Sequence, residues 1–329
     1  MKKKTIVFII ILILAVIIIG AFWFINRDDS SNNREINNIS YFTKDSTIGD
    51  VINNEAFAGF GNLIFPVDRS YDLDTTLADI DDIYIWYNNI DDDTTVNIVN
   101  FLKEESDRGE EVFYPIYTEE EMNSDPDKRN VGLFFFRGEE NNKTAIVNVG
   151  GGFMYVGAMV DSFPHALELS RMGYNAFALI YRPDASLAME DLARAVSYLH
   201  DNASDLKIDI RDYSVWGGSA GGRMTAWIST YGTESFGEKV YPRPSAAIIE
   251  YTGLSEVTGD EVPTYSVVGT NDGIASYRVM EDRIERIKEN GTDAEIEFFE
   301  GLSHGFGLGI GTVAEGWINN AVKFWEDHM

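Results

Sequence analysis

The chain has 329 residues, with 26 Lys and Arg against 54 Asp and Glu, a formal net charge of −28, 44% hydrophobic residues and no cysteine. That apolar content fills a core, so wholesale disorder is excluded, and the length suits one large domain or two small ones. Lack of cysteine excludes disulfides, a thiolate nucleophile, thiolate-held zinc and iron–sulfur clusters, and the acidic excess opposes non-specific binding to nucleic acid.

Lys2, Lys3 and Lys4 precede an apolar run from Thr5 to Ile25. At ~1.5 Å per residue the run spans roughly 30 Å, one bilayer core. A cleavable signal has a shorter apolar stretch and small residues at its cleavage site. This run is long and ends in Phe22, Trp23 and Phe24, residue types that favour the membrane interface. The expectation is an uncleaved transmembrane helix over 5–25, with residues 1–4 a cytoplasmic tip and the bulk of the chain extracytoplasmic at the cell membrane. The alternative is a secreted protein that has lost a signal peptide. Residues 26–40, polar around Asp28–Asn38, read as a linker.

Residues 41–128 are mixed. DSTIGDVINNEAF combines a capping residue with a short helical pattern, and the Asp-dense stretch 68–93 reads as loops and short turns. Residues 94–109 carry Val96, Val99, Phe101 and Leu102 at helical spacing and stop at Gly109. EEEMNSDPDK reads as a surface loop. None of the acidic runs has the spacing of a calcium loop. The large apolar side chains of this segment, among them Phe57, Phe60, Tyr84 and Trp86, are too many to expose. The segment is therefore expected to pack on the remainder, 129–329.

From 131 onward short apolar runs alternate with helical patterns. VGLFFFRG, TAIVNV, NAFALIY, YSVWG, AAIIEY, TYSVVG and EIEFF read as buried strands. Between them lie FPHALELSRMG, LAMEDLARAVSYLHDNA, GGRMTAWISTYG, YRVMEDRIERIKENG and a terminal TVAEGWINNAVKFWEDHM. The fold class is α/β, a mostly parallel sheet with helices on both faces and ligands at the carboxyl ends of the strands.

The chemistry concentrates in three loops. Gly217-Gly218-Ser219-Ala220-Gly221 lies between a strand and a helix, the context in which G-x-S-x-G forms a nucleophile elbow with a strained serine flanked by tiny residues. A glycine-rich turn with a capping serine is the plainer alternative. Serine needs a base, and of four histidines only His304 lies in a loop after a strand, between glycines. The orienting acid should fall between them in sequence after a strand; Asp272, in GTNDG, fits. Gly150-Gly151-Gly152 follows another strand and brings backbone N–H groups close to a substrate oxygen, with the Ala220 amide as a second donor. A phosphate loop would need a following Lys-Ser/Thr or a G-x-G-x-x-G pattern, which is absent.

GGGF, a Tyr-Arg-Pro segment before an acidic helix, GGSAGG, GTNDG and SHGFG, in that order, resemble the α/β-hydrolase superfamily. Within it the chain is similar to the esterase/lipase branch of hormone-sensitive-lipase-like and acetyl-xylan-esterase-like enzymes. The resemblance implies Ser219 as nucleophile, His304 as base, Asp272 as its acid, and Gly151, Gly152 and Ala220 as oxyanion donors. It departs at Val149, where the family commonly has histidine. The function expected is a membrane-anchored serine carboxylesterase acting through an acyl-enzyme on short acyl esters, acetylated carbohydrate among them. No metal or organic cofactor and no nucleic acid partner is implied. A peptidase of the same superfamily and a non-catalytic surface-binding protein on this scaffold are the alternatives.

Overall fold

In the computed structural model, residues 41–329 are described apart from 67–69, 85 and 88. The expected anchor and linker lie outside the described residues. Among the described residues no helix is long and apolar enough to cross a membrane.

The chain begins with α1 (Ile48–Ile52), closed at its start by a capping box in which Thr47 and Asp50 bond each other's backbone N–H. A 3₁₀ helix over Leu77–Ile83 then sets Leu77, Ile80 and Ile83 inward, where the Asp-dense composition had read as loop. Helix α2 (Asp92–Asp107) starts two residues before the expected position, because Asp91 accepts the Thr94 N–H. Strand β1 (Phe113–Pro115) follows. The acidic cluster read as a loop is partly helical: α3 (Glu119–Ser124) is nucleated by a second capping box, Thr118 with Glu121.

Next come β2 (Gly132–Phe136), β3 (Lys143–Asn148), α4 (Ala158–Asp161), α5 (Phe163–Arg171), β4 (Asn175–Ile180), α6 (Ala185–Leu206) and β5 (Asp209–Gly218). They are followed by α7 (Ala220–Tyr231), β6 (Ala246–Glu250), β7 (Thr264–Gly269), α8 (Tyr277–Glu289), β8 (Ala294–Phe299) and α9 (Trp317–Glu326). Helix α9 starts later than its pattern predicts, after Gly316 at φ 89°.

The eight strands form one sheet in the order β1-β2-β4-β3-β5-β6-β7-β8. β1 and β2 run antiparallel to their neighbours and the pairs from β4 through β8 are parallel. Every residue of β2 and β4 is buried, so both faces of the sheet are covered there. Phe42–Met329 forms one compact unit, and β1, from the segment ahead of the alternating pattern, is part of its sheet.

Buried polar contacts tie that segment to the rest. Arg182 is clamped by Asp191, with Nη2–Oδ1 at 2.7 Å, while the Tyr117 hydroxyl donates to the same carboxylate at 2.6 Å. Asp125 takes another guanidinium N–H of Arg182 at 2.9 Å.

The sheet topology locates the cleft. After β4 the chain crosses from one side of β3 to the other, which makes the carboxyl ends of β3 and β5 a topological switch point. Asn148, the last residue of β3, and Gly217, the next-to-last of β5, are register partners.

Candidate active site

The turn after β5 has the geometry expected of an elbow. Ser219 sits at φ 53° and ψ −114°, a conformation that costs a non-glycine residue about 1–3 kcal/mol. The turn is tight enough to forbid side chains beside it. A Cβ on Gly217 would lie 2.4 Å from the Gly221 backbone, and one on Gly221 only 2.1 Å from the Asn148 carbonyl oxygen. The Ser219 N–H donates to the Glu250 carbonyl at 3.0 Å, which pins the elbow to β6.

The loops after β7 and β8 bring the other two candidates to the same rim. His304 Nε2 is 3.0 Å from Ser219 Oγ, and His304 Nδ1 is 2.8 Å from Asp272 Oδ2. With the carboxylate accepting the Nδ1 proton, Nε2 is left to accept the serine hydroxyl; the tautomer is assigned from these partners. The other Asp272 oxygen accepts the N–H groups of Ile274 at 2.8 Å and Ala275 at 2.7 Å, so the acid is fixed independently of the histidine. The His304 ring meets the edge of Tyr251, with centroids 5.0 Å apart. Both side chains of the His304–Asp272 pair are buried, whereas the serine opens into a cleft of about 330 Å³.

Gly152, Phe153 and Ala220 line that cleft together with Ser219 and His304. Ala220 is the first residue of α7, so its N–H is among those left without an intrahelical acceptor. Gly151 is placed differently. Its chain is buried against Tyr155, and a Cβ there would lie 2.1 Å from the Tyr155 carbonyl oxygen. Gly151, Gly152 and Phe153 take φ values of 121°, 64° and 58°, and the latter two line the cleft.

At Val149, where the resemblance led to the expectation of a histidine, the loop is held by other contacts. The Tyr181 hydroxyl donates to the Val149 carbonyl at 2.8 Å. The Gly150 N–H donates to Asp161 Oδ1 at 3.0 Å. Asp161 also receives the Tyr251 hydroxyl at 3.2 Å and the Tyr87 hydroxyl at 3.4 Å. This carboxyl is fully buried, and burial together with the nearby Glu250 pushes its pKa up to about 7. Behind it His165 Nε2 lies 3.3 Å from Glu250 Oε2, both fully buried, in ion-pair range but outside hydrogen-bond geometry. Burial opposes a charged His165, but Glu250 and Asp161 together outweigh it and raise the imidazole above its ordinary value. Asp161, His165 and Glu250 were not read from the sequence as site residues. Their partners come from distant parts of the chain, and no short motif marks them.

The early segment reaches this loop. Tyr87 packs on Gly150 and on Gly305 of the His304 loop, and Trp86 stands over Gly152. Trp86 is 40% exposed and stacks on Tyr155 with ring centroids 5.8 Å apart. Phe60, by contrast, packs among Phe57, Phe113 and Phe134, away from the cleft. Among the described residues no group of three or more His, Asp or Glu is arranged to hold a metal ion.

The mostly parallel sheet, with the elbow, the histidine loop and the glycine loop on one rim, has the architecture of the α/β-hydrolase fold that the sequence motifs implied. Residues 133–272, from β2 to the Asp272 loop, match the BD-FAE family. The fold is similar to an acetyl ester-xyloside bifunctional hydrolase from Caldicellulosiruptor lactoaceticus, with TM-score 0.58 and 21% identity over 65% of this chain and 95% of that one. It is also similar to a propionate-bound thermophilic esterase from Thermogutta terrifontis, with TM-score 0.56 and 18% identity over 65% of this chain and 93% of the other. MGS-M1, an alpha/beta hydrolase from a Medee basin deep-sea metagenome library, aligns at TM-score 0.51 and 21% identity over 60% and 92%. No curated protein matches the chain.

Proposed function

We propose that this chain is a serine carboxylesterase that hydrolyses short acyl esters, acetyl groups on carbohydrate included. The observation that carries the reading is the relay from Ser219 through His304 to Asp272, with contacts of 3.0 and 2.8 Å. His304 takes the Ser219 proton as Oγ attacks the ester carbonyl. Asp272 holds the ring and stabilises the imidazolium. The amides of Gly152 and Ala220 receive the oxyanion, with Gly151 shaping the turn that presents Gly152. Collapse releases the alcohol, which leaves with the proton from His304. A water activated by the same imidazole then hydrolyses the acyl-enzyme. Small acyl groups figure in the structures of similar fold, one an acetyl ester hydrolase and one an esterase bound to propionate. The exposed Trp86 ring beside Gly152 supplies a flat apolar surface of the kind sugar rings stack on. The run Thr5–Ile25 would tether this domain to the outer face of the cell membrane. A panel of p-nitrophenyl esters from acetate to decanoate, with acetylated xylan, tests the reading. Turnover should be greatest on the shortest chains. No turnover of any ester, with no labelling of Ser219 by a fluorophosphonate, would reject it.

A further inference from the structure

Arg223 lies four residues after Ser219 on α7, one helical turn along the same side, and lines the same cleft. Its surroundings differ from those of three other inward-facing arginines, while the buried Arg283 is satisfied by the Glu256 backbone carbonyl instead of a carboxylate. Arg182 is clamped by Asp191 and Asp125. Arg194 pairs with Glu121 and Glu238, and Arg137 with Glu105 and Glu110. In a chain where acidic residues outnumber basic ones two to one, cations find carboxylates readily. Among the described residues Arg223 has none, and no Asp or Glu lines the cleft it faces. Its guanidinium lies 5.7 Å from the centroid of the Trp227 ring, one turn further on. That contact positions the planar group and uses none of its five N–H donors. The remaining cleft wall, including Phe153, Tyr251, Ile274 and Ala275, carries no charge that would compete for it.

We propose that Arg223 is a specificity residue that binds a carboxylate on the substrate, so that the enzyme prefers esters carrying an anionic group near the scissile bond. The inference rests on the serine esterase reading of the site. A planar fork of donors in a half-buried cleft matches a carboxylate bidentately, and such charge-assisted bonds are about twice as strong as neutral ones. The surface charge of the chain works against anionic ligands in general. Selectivity therefore depends on a local cation, and the Arg223 guanidinium stands one turn from the nucleophile.

The test compares matched esters that differ in one charge. 4-Acetoxybenzoate against its methyl ester places the anion on the alcohol side. 4-Nitrophenyl hydrogen adipate against methyl 4-nitrophenyl adipate places it on the acyl side. The readout is the ratio of kcat/KM, anionic over neutral, in the wild type and in Arg223→Gln and Arg223→Lys, so that leaving-group differences cancel. Arg223→Gln should lower the ratio about tenfold or more in one of the pairs, mostly through KM, and Arg223→Lys should keep part of it. A fall in one pair assigns the anion to that side of the ester. Equal ratios in wild type and Arg223→Gln for both pairs, with Ser219 still labelled by fluorophosphonate, would overturn the proposal. Failure of fluorophosphonate labelling in the wild type would instead reject the esterase reading beneath it.

Discussion

Asp161 Oδ1 accepts the Gly150 N–H at 3.0 Å, which joins a fully buried carboxyl to the loop that carries the proposed oxyanion donor. The same carboxyl lies under the elbow, since a Cβ on Gly218 would sit 2.4 Å from Asp161 Oδ2. Loop and elbow thus share one polar support.

That support should make stability depend on pH with a defined sign. An aspartate in the unfolded chain titrates near 4, whereas in the fold burial and Glu250 push Asp161 up to about 7. Between these values the native state keeps a proton that the unfolded state has released. Stability from this group is therefore full below about pH 4, falls as pH rises, and is level above about 7. His165, also raised, extends the loss upward from its ordinary range. Asp209, which Arg211 holds well below the usual carboxylate range, acts oppositely and only in acid. Asp161→Asn mimics the protonated form and keeps an acceptor for Gly150. Urea unfolding across pH 4–8 should show the variant losing less stability than wild type, by on the order of a few kcal/mol. Parallel curves would remove Asp161 as the titrating group.

Ser219→Ala should abolish ester turnover and fluorophosphonate labelling while leaving the urea midpoint near or above that of wild type, since it removes only one hydroxyl from a strained turn. His304→Ala should be similarly severe, and Asp272→Asn equal or milder, with losses of about 10⁴–10⁶ in kcat for the strongest. Wild-type activity in Ser219→Ala would sink the mechanism.

The early segment should divide into two kinds of residue. Trp86→Ala should change the ranking of substrates with little change in stability, because its ring is exposed beside Gly152. Phe60→Ala should cost on the order of 2 kcal/mol and leave that ranking as it was, because Phe60 packs among rings remote from the cleft. An acyl-chain profile measured for both variants decides it; an unchanged profile in Trp86→Ala leaves that residue with packing alone.

Asp191→Ala should be among the most damaging changes far from the chemistry. It leaves the buried Arg182 guanidinium and the Tyr117 hydroxyl without their main acceptor, at about 3–5 kcal/mol. Chemical denaturation checks this, and a loss under 1 kcal/mol would mean that Asp125 and Glu190 compensate.

The strands from β2 to β8 were legible because each is a short apolar run, several β-branched, bounded by turn residues. Ser219, His304 and Asp272, which the structure brings within hydrogen-bond distance, were legible from chain order and loop position. β1 was not, because three residues ending in Pro115 carry no period. α3 hid behind acidic composition, although Thr118 and Glu121 stand at the spacing of a capping box. Asp161 is invisible locally: its partners Tyr87, Gly150 and Tyr251 converge on it from separations of 74, 11 and 90 residues. Arg223 was legible as a residue of the elbow helix, but its lack of a carboxylate partner is a property of three-dimensional surroundings alone.

The two outer strands of the sheet, β1 and β8, differ in length but resist the same event. β1 offers three residues, and its last, Pro115, has no N–H to donate. β8 places Glu295 and Glu297 at alternate positions along the opposite margin. An incoming strand from a neighbouring molecule would meet either too little backbone to pair with or a row of negative charge. The eight-stranded sheet is thereby protected at both margins against the lateral growth that leads from a folded chain to an aggregate.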